Sequence, residues 1–364
     1  MTMFDKSTLR GAHLASCLLL SLALTACSLG GASTAPDSQD GPPSKEVVLA
    51  THEAWAMPKQ VLAEFTRQTG YRVQVQTSGD AGALTNKLVL TKDDPIADAV
   101  FGIDNTFASR AVEEGVLAEH SPQAVPESAA DYELPDEEAA AALTPVDFGD
   151  VCVNVDNAWF ARKGIEPPRT LADLTEPRYQ DLFVTPGAST SSPGLAFLLA
   201  TIAEFGEEGW QDYWEKLMAN GARVTAGWTD AYTVDFTAGG GGGDRPIVLS
   251  YASSPPFTIP EGADRPTTSA LLDTCFRQVE YAGVLEGANN PEGARALVDF
   301  MLTPTFQAAL PDNMYVFPVD RSVELPDGWA RWAETARRPL SMDPDRVAEQ
   351  RDEWLTTWAE ITTR

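Results

Sequence analysis

The chain has few of the residue types on which most hydrolytic and nucleic-acid chemistry depends. It contains three histidines, His13, His52 and His120, and no HExxH pair, GxSxG elbow or CxxC spacing. The common zinc-hydrolase, serine-hydrolase and zinc-ribbon arrangements are therefore excluded, and neither a metal nor a cofactor is expected. Basic residues are scarce: 26 Lys and Arg stand against 53 Asp and Glu, for a formal net charge of -27. Such a surface repels phosphodiester backbones, which argues against a nucleic-acid partner. It suits a cationic solute, although solubility alone accounts for most of the charge. The five successive glycines from Gly239 to Gly243 are followed by Asp244-Arg245-Pro246, not by the Lys-Ser or Lys-Thr of a phosphate loop. They read as a surface turn. Paired carboxylates have no fixed spacing, so an anchored extracellular glycosidase is the enzyme class left standing beside a binding protein.

Long apolar runs are missing after the N-terminus. The one present, Leu14 to Leu24, follows Lys6 and Arg10 and ends at Leu24-Thr25-Ala26-Cys27. It is short for a permanent span and closes on small residues, as a signal peptide does. The last four residues resemble a bacterial lipobox, so 1–26 is expected to be cleaved and Cys27 to carry lipid. The Gly-, Ser- and Pro-rich stretch behind it cannot bury enough apolar surface to fold, and 27–45 reads as a tether. Removing Lys6, Arg10 and Asp5 leaves the mature chain one unit more negative still. Cysteine is equally sparse. With Cys17 in the signal and Cys27 lipidated, Cys152 and Cys275 remain, a possible disulfide in an oxidising compartment.

The rest of the chain alternates strands with helices. Val47–Ala50, Arg72–Gln76, Ala97–Ile103, Phe148–Val155, Arg223–Ala226, Ile247–Tyr251 and Phe276–Val284 read as strands. Met57–Thr69, Thr106–Glu114, Thr190–Phe205, Trp210–Met218, Pro291–Leu302 and Asp343–Ile361 read as helices. Such alternation gives an α/β fold with mostly parallel sheets, and the length suits two lobes better than one core. In open α/β sheets ligands bind beyond the carboxyl ends of strands. The residues placed there are aromatic and small-polar: Trp228 and Tyr232 after one strand, Tyr251 at the end of another, Asp104 after a third, and Tyr315 in a late loop. Ser191 and Ser192 open a helix whose free N–H groups favour an anion.

At these residues the chain resembles the thiamine-binding subunits of bacterial ABC importers. The likeness runs from about Val47 to Ile361 and is carried by Ala97–Asn105 (ADAVFGIDN), Pro145–Gly149 (PVDFG), Ser189–Leu195 (STSSPGL), Val224–Tyr232 (VTAGWTDAY), Ile247–Pro255 (IVLSYASSP), Thr303–Pro318 and Val347–Trp358. The adjacent Tyr-Tyr pair of the related ferric-ion binders is absent. The resemblance implies a two-lobed periplasmic-binding-protein fold, with lobe 1 at 46–147 and 277–313 and lobe 2 at 148–276 and 314–364. It also implies that Cys152 and Cys275 lie on crossing strands at the hinge, close enough to bond.

The ligand implied is thiamine or a thiamine phosphate, held between the lobes of a monomer and passed to a membrane permease. Trp228 and Tyr251 match the family's stacking rings, and Tyr315 falls at a family tryptophan. Asp80 and Asp104 match family acids, and Ser191 and Ser192 match a phosphate-side pair. His52 stands where family members carry tyrosine; once protonated it would repel a thiazolium, so affinity is expected to fall as pH drops. A same-fold protein for another solute, such as a polyamine, an iron complex or another thiamine-like pyrimidine, is the alternative.

Overall fold

The structure is a computed structural model that describes residues 45–363; the expectations for the signal peptide, for Cys27 and for most of the tether lie outside the described residues. Eleven strands are present among them: β1 (Glu46–Thr51), β2 (Arg72–Thr77), β3 (Ala99–Asp104), β4 (Leu117–Ala118), β5 (Thr144–Asp156), β6 (Phe183–Pro186), β7 (Arg223–Thr225), β8 (Ile247–Tyr251), β9 (Thr268–Ala270), β10 (Phe276–Leu285) and β11 (Phe317–Pro318). They join in the order β2-β1-β3-β10-β5-β8-β6-β7, with β4 on β10 and β9 and β11 on β5.

The order follows from which strands are linked by helices. β1 returns to β2 through the helix Lys59–Thr69, and the two pair in parallel, as do β1 and β3. That helix stops at Gly70, whose φ of 79° lets its N–H reach back to the Thr66 carbonyl. β6 likewise runs parallel to β7 and β8 after the helices Ser192–Phe205 and Trp210–Ala219. Each half is thus a small parallel sheet with covering helices. The centre differs from the mostly parallel expectation, because β10 is antiparallel to β3 and β5, and β5 to β8.

β5 and β10 are the strands common to both halves. The first part of β5, up to Val151, lies against β10, and Val151–Val155 lies against β8. β5 is buried along its whole length, and the polar residues it carries among its apolar ones, Asp147, Asp150 and Asn154 included, are buried with it. It starts four residues before the expected Phe148. Pro145 is tolerated there because the β5–β10 register slips beside it, between Glu280 and Tyr281, where no ladder N–H is required. Further along, Cys152 and Cys275 are disulfide-bonded with their Cα atoms 4.2 Å apart. Asp150 and Arg277, opposite one another in the next register position but one, form a two-pronged ion pair of 2.6 and 2.9 Å.

The cores follow the two half-sheets. Phe197, Trp214, Leu249 and Trp358 belong to one; Leu84, Ile103 and Tyr281, with Phe65, Phe101 and Leu297, belong to the other. The last helix, Pro344–Thr362, packs on Trp210–Ala219 as a second-half element. Residues 314–335 do not follow it. Val316, Phe317, Val319 and Trp329 join first-half cores, because β11 pairs with β5 at Phe148 and Asp147.

Candidate functional site

A cavity of about 100 Å³ lies at the carboxyl ends of the parallel strands, between the halves. Its lining includes His52 just past β1, Asp80 past β2, Trp228 past β7 and Tyr251 ending β8. One wall is aromatic. The Trp228 ring lies 6.2 Å from that of Tyr251 and 5.7 Å from that of Tyr315. Tyr232 stacks on Trp228 at 5.0 Å and 12°, behind the wall and not in the cavity lining. A single π-helical turn, Asp230–Asp235, places it there. The indole N–H of Trp228 donates to Ser250 Oγ at 2.9 Å. Tyr315 is one of two non-glycine residues with positive φ, at 62°, among the described residues. That strained turn sets its ring beside Phe257 while its carbonyl accepts from Ser253 Oγ at 2.5 Å. Gly149 makes room for Tyr251, since a Cβ there would sit 2.7 Å from the tyrosine ring.

The facing wall is charged. His52 Nε2 is 3.2 Å from Glu280 Oε1, and both side chains are nearly inaccessible. The imidazole rests on Gly102, whose φ of 100° and missing Cβ leave it space. Burial works against the imidazolium, but the charge and hydrogen bond of Glu280, with Asp80 and Glu53 adding, raise its pKa above the ordinary histidine value. Burial likewise works against the Glu280 carboxylate, yet His52 and a hydrogen bond from Asp147 hold it below the usual carboxylate range. Asp147 is opposite Glu280 in the β5–β10 register, and burial first, then the Glu280 charge, push it well above that range. The three shifts favour an imidazolium, a carboxylate and a neutral carboxylic acid in a row.

The remaining expected residues divide. Asp80 lines the cavity and caps the helix Ala81–Leu90, one oxygen accepting from Ala81 N–H at 2.7 Å. Its other oxygen accepts from the Trp228 backbone N–H at 2.8 Å and so ties the two halves together. Ser192 lines the cavity, and its buried hydroxyl has no hydrogen-bond partner of good geometry. Ser191 instead caps its own helix, accepting from Gly194 N–H. Asp104 lies behind the lining, accepting from the Thr106 hydroxyl at 2.9 Å and from Phe107 N–H at 3.2 Å. Burial pushes it up to about 7, against the pull of the Thr106 and Ser192 hydroxyls.

Gln278, Glu280 and Asn313 also line the cavity and were not foreseen. The signal for the first two was present: Gln278 and Glu280 fall on one face of β10, with Val279 between them.

A cleft of this build, at the switch between two parallel half-sheets bridged by two long strands, is that of the two-lobed periplasmic-binding-protein fold. The family model of the bacterial extracellular solute-binding proteins matches residues 94–248. It is 28% identical over 311 residues to a thiamine-binding periplasmic protein of Salmonella typhimurium, spanning 85% of this chain and 90% of that one. It is 29% identical over 313 residues to the protein of the same description from Brucella suis, spanning 85% and 89%. A solved periplasmic thiamin binding protein superposes with a TM-score of 0.75 at 25% identity, covering 88% of this chain and 96% of its own.

Proposed function

We propose that the chain is a binding protein for thiamine or a thiamine phosphate, anchored by lipid at Cys27 on the outer face of the cell membrane and serving the permease of an ABC importer. The observation that carries this reading is the pairing of an aromatic wall, Trp228, Tyr251 and Tyr315, with the acidic wall of Asp80 and Glu280 across one cavity. Thiamine is a permanent cation joined to a flat aminopyrimidine. A cation over an aromatic face gains roughly 0.5–2 kcal/mol, more when it is desolvated, and nearby carboxylates discriminate against neutral pyrimidines. Ser192, at the N-terminus of its helix, is where a phosphate would sit.

The reading is that of a binding protein, not an enzyme, acting as a monomer without metal or cofactor. A cavity of about 100 Å³ falls below the roughly 300–1,000 Å³ of small-molecule sites. Entry therefore requires the halves to part, breaking the Asp80 bond to Trp228 N–H and the Ala83 N–H bond to the Thr190 carbonyl. We place the hinge at β5 and β10, with 46–147 and 277–313 in lobe 1 and 148–276 in lobe 2. Residues 314–335 go with lobe 1 and the final helix with lobe 2. Parting and closing supply the two states that a permease can distinguish.

The test is titration calorimetry on the soluble chain with thiamine, thiamine monophosphate and spermidine. Heat with a thiamine form and none with spermidine supports the reading; heat with spermidine alone replaces it by a polyamine binder. For the anchor, Cys27→Ser should release the protein from the membrane or leave its signal uncut. A processed Cys27→Ser protein that stayed membrane-bound would overturn the lipid assignment.

A further inference from the structure

We propose that Glu280 is the counter-ion that selects a cation in this cleft, and that the cation takes the place of the proton His52 holds against it, so that each binding event releases a proton to solvent. The inference rests on the reading of the cavity as a site for a cationic ring, and it adds the residue that recognises the charge and the cost of reaching it.

The geometry comes from three strands. β10 carries Glu280 into the cavity, at the last paired position before the β5–β10 register slips between Glu280 and Tyr281. β5 places Asp147 opposite, and neither of its buried oxygens has another hydrogen-bond partner. The end of β1 brings His52 to 3.2 Å from Glu280. Around this row stand Glu53 beside His52, Asp80 at its helix cap, Asp104 ending β3, the Tyr251 phenol from β8, and Asp230 beyond Glu53. Every other titratable side chain in the cavity lining is an acid or a phenol, so His52 is the one lining group able to carry positive charge.

A buried carboxylate needs a cation, and here the protein supplies its own. A cationic ring seated against Trp228 and Tyr251 brings a second positive charge to the same carboxylate. Two cations on one buried anion repel. The mobile one is the imidazolium proton, because the ligand's charge is fixed by its bonding. The His52 N–H bond breaks, the proton passes to bulk buffer, and neutral His52 remains beside a carboxylate now facing the ligand. A neutral ligand of the same shape gains nothing from this exchange and leaves the proton in place. Selection against neutral rings thus comes from Glu280, and pH sets how much of the exchange is already complete.

The experiment is thiamine titration in pairs of buffers with different ionisation enthalpies, from pH 6 to 9. The wild type should release a proton, up to one per ligand, with affinity rising as much as tenfold per pH unit through the His52 titration and flattening above it. His52→Gln should bind with no proton release and no pH slope. Glu280→Gln should lose at least tenfold in thiamine affinity and bring thiamine close to a neutral pyrimidine of similar shape. Thiamine bound by the wild type with no proton release, or with Glu280→Gln as tight as wild type, overturns this inference and leaves the thiamine reading intact. No thiamine binding by the wild type at any pH overturns both.

Discussion

The two walls of the cleft differ in how the chain makes them. The aromatic wall is assembled at strand ends and in loops: Trp228 past β7, Tyr251 at the tip of β8, Tyr315 after a short helix. The charged wall comes largely from inside strands, with Glu280 and Gln278 midway along β10 and Asp147 near the start of β5. A ring offered from a loop can be exchanged or re-aimed at small cost to the fold. A carboxylate inside a central strand is fixed by the register of its neighbours. Shape and stacking are therefore the adjustable part of this site, and charge is the part tied to the scaffold.

The strands common to both walls give the largest expected effect. Cys152 and Cys275 close a loop with a sequence separation of 123, which in the chain-entropy model is worth roughly 4–5 kcal/mol. The Cys152→Ala, Cys275→Ala double variant should lose about that much, or somewhat less, in urea unfolding. It should keep the wild-type preference for thiamine over spermidine, because neither cysteine faces the cavity. A double variant of unchanged stability would mean that the Asp150–Arg277 ion pair and the β5–β10 ladder suffice to hold the walls in register.

Next in size is the aromatic wall itself. Trp228→Ala removes the ring that Tyr232, Tyr251 and Tyr315 surround, and thiamine affinity should fall by about 2–4 kcal/mol, as for a hot-spot truncation. Trp228→Phe should recover much of the loss, since a ring face survives with a weaker quadrupole. Tyr251→Ala should cost less. Calorimetry on the three variants ranks them. Wild-type affinity in Trp228→Ala would leave recognition to the charged wall alone.

The same contrast explains what could be read from the sequence. Strand and helix positions were legible because most elements have a clear period, and Gly70 marks a helix end. Trp228 and Tyr251 were legible because they stand at the ends of strands, where an open sheet puts its ligand, whereas Tyr315 was marked only by its late loop and the family resemblance. The charged wall was not legible. Alternation of Gln278 and Glu280 along β10 looks the same whether the second face meets water or a cleft, and only the pairing with β5 decides between them. Asp104 ends β3 and Ser191 opens its helix as expected, yet both side chains turn back to satisfy nearby N–H groups. Residues of 314–335 pack with first-half cores through β11, a two-residue strand that carries no periodic signal.

The smallest effect expected separates a ring that is merely present from one that is held in place. Trp228 is braced by a polar chain: its indole N–H donates to Ser250 Oγ at 2.9 Å, Ser250 Oγ lies 2.8 Å from Ser254 Oγ, and Ser254 Oγ accepts from Tyr251 N–H at 3.2 Å. Ser250 is fully buried, so water cannot replace its hydroxyl. Ser250→Ala strips the indole of its acceptor without touching the cavity lining, at about 1 kcal/mol of stability. Thiamine affinity should fall only a few-fold, and the pH slope set by His52 should not move, because that slope belongs to the opposite wall. Ser250→Thr keeps a hydroxyl and should restore affinity wherever its methyl is accommodated. Calorimetry of Ser250→Ala at two pH values tests both statements. A changed pH slope would show that the walls are coupled through Trp228 and its backbone bond to Asp80, and the division drawn between them would fail.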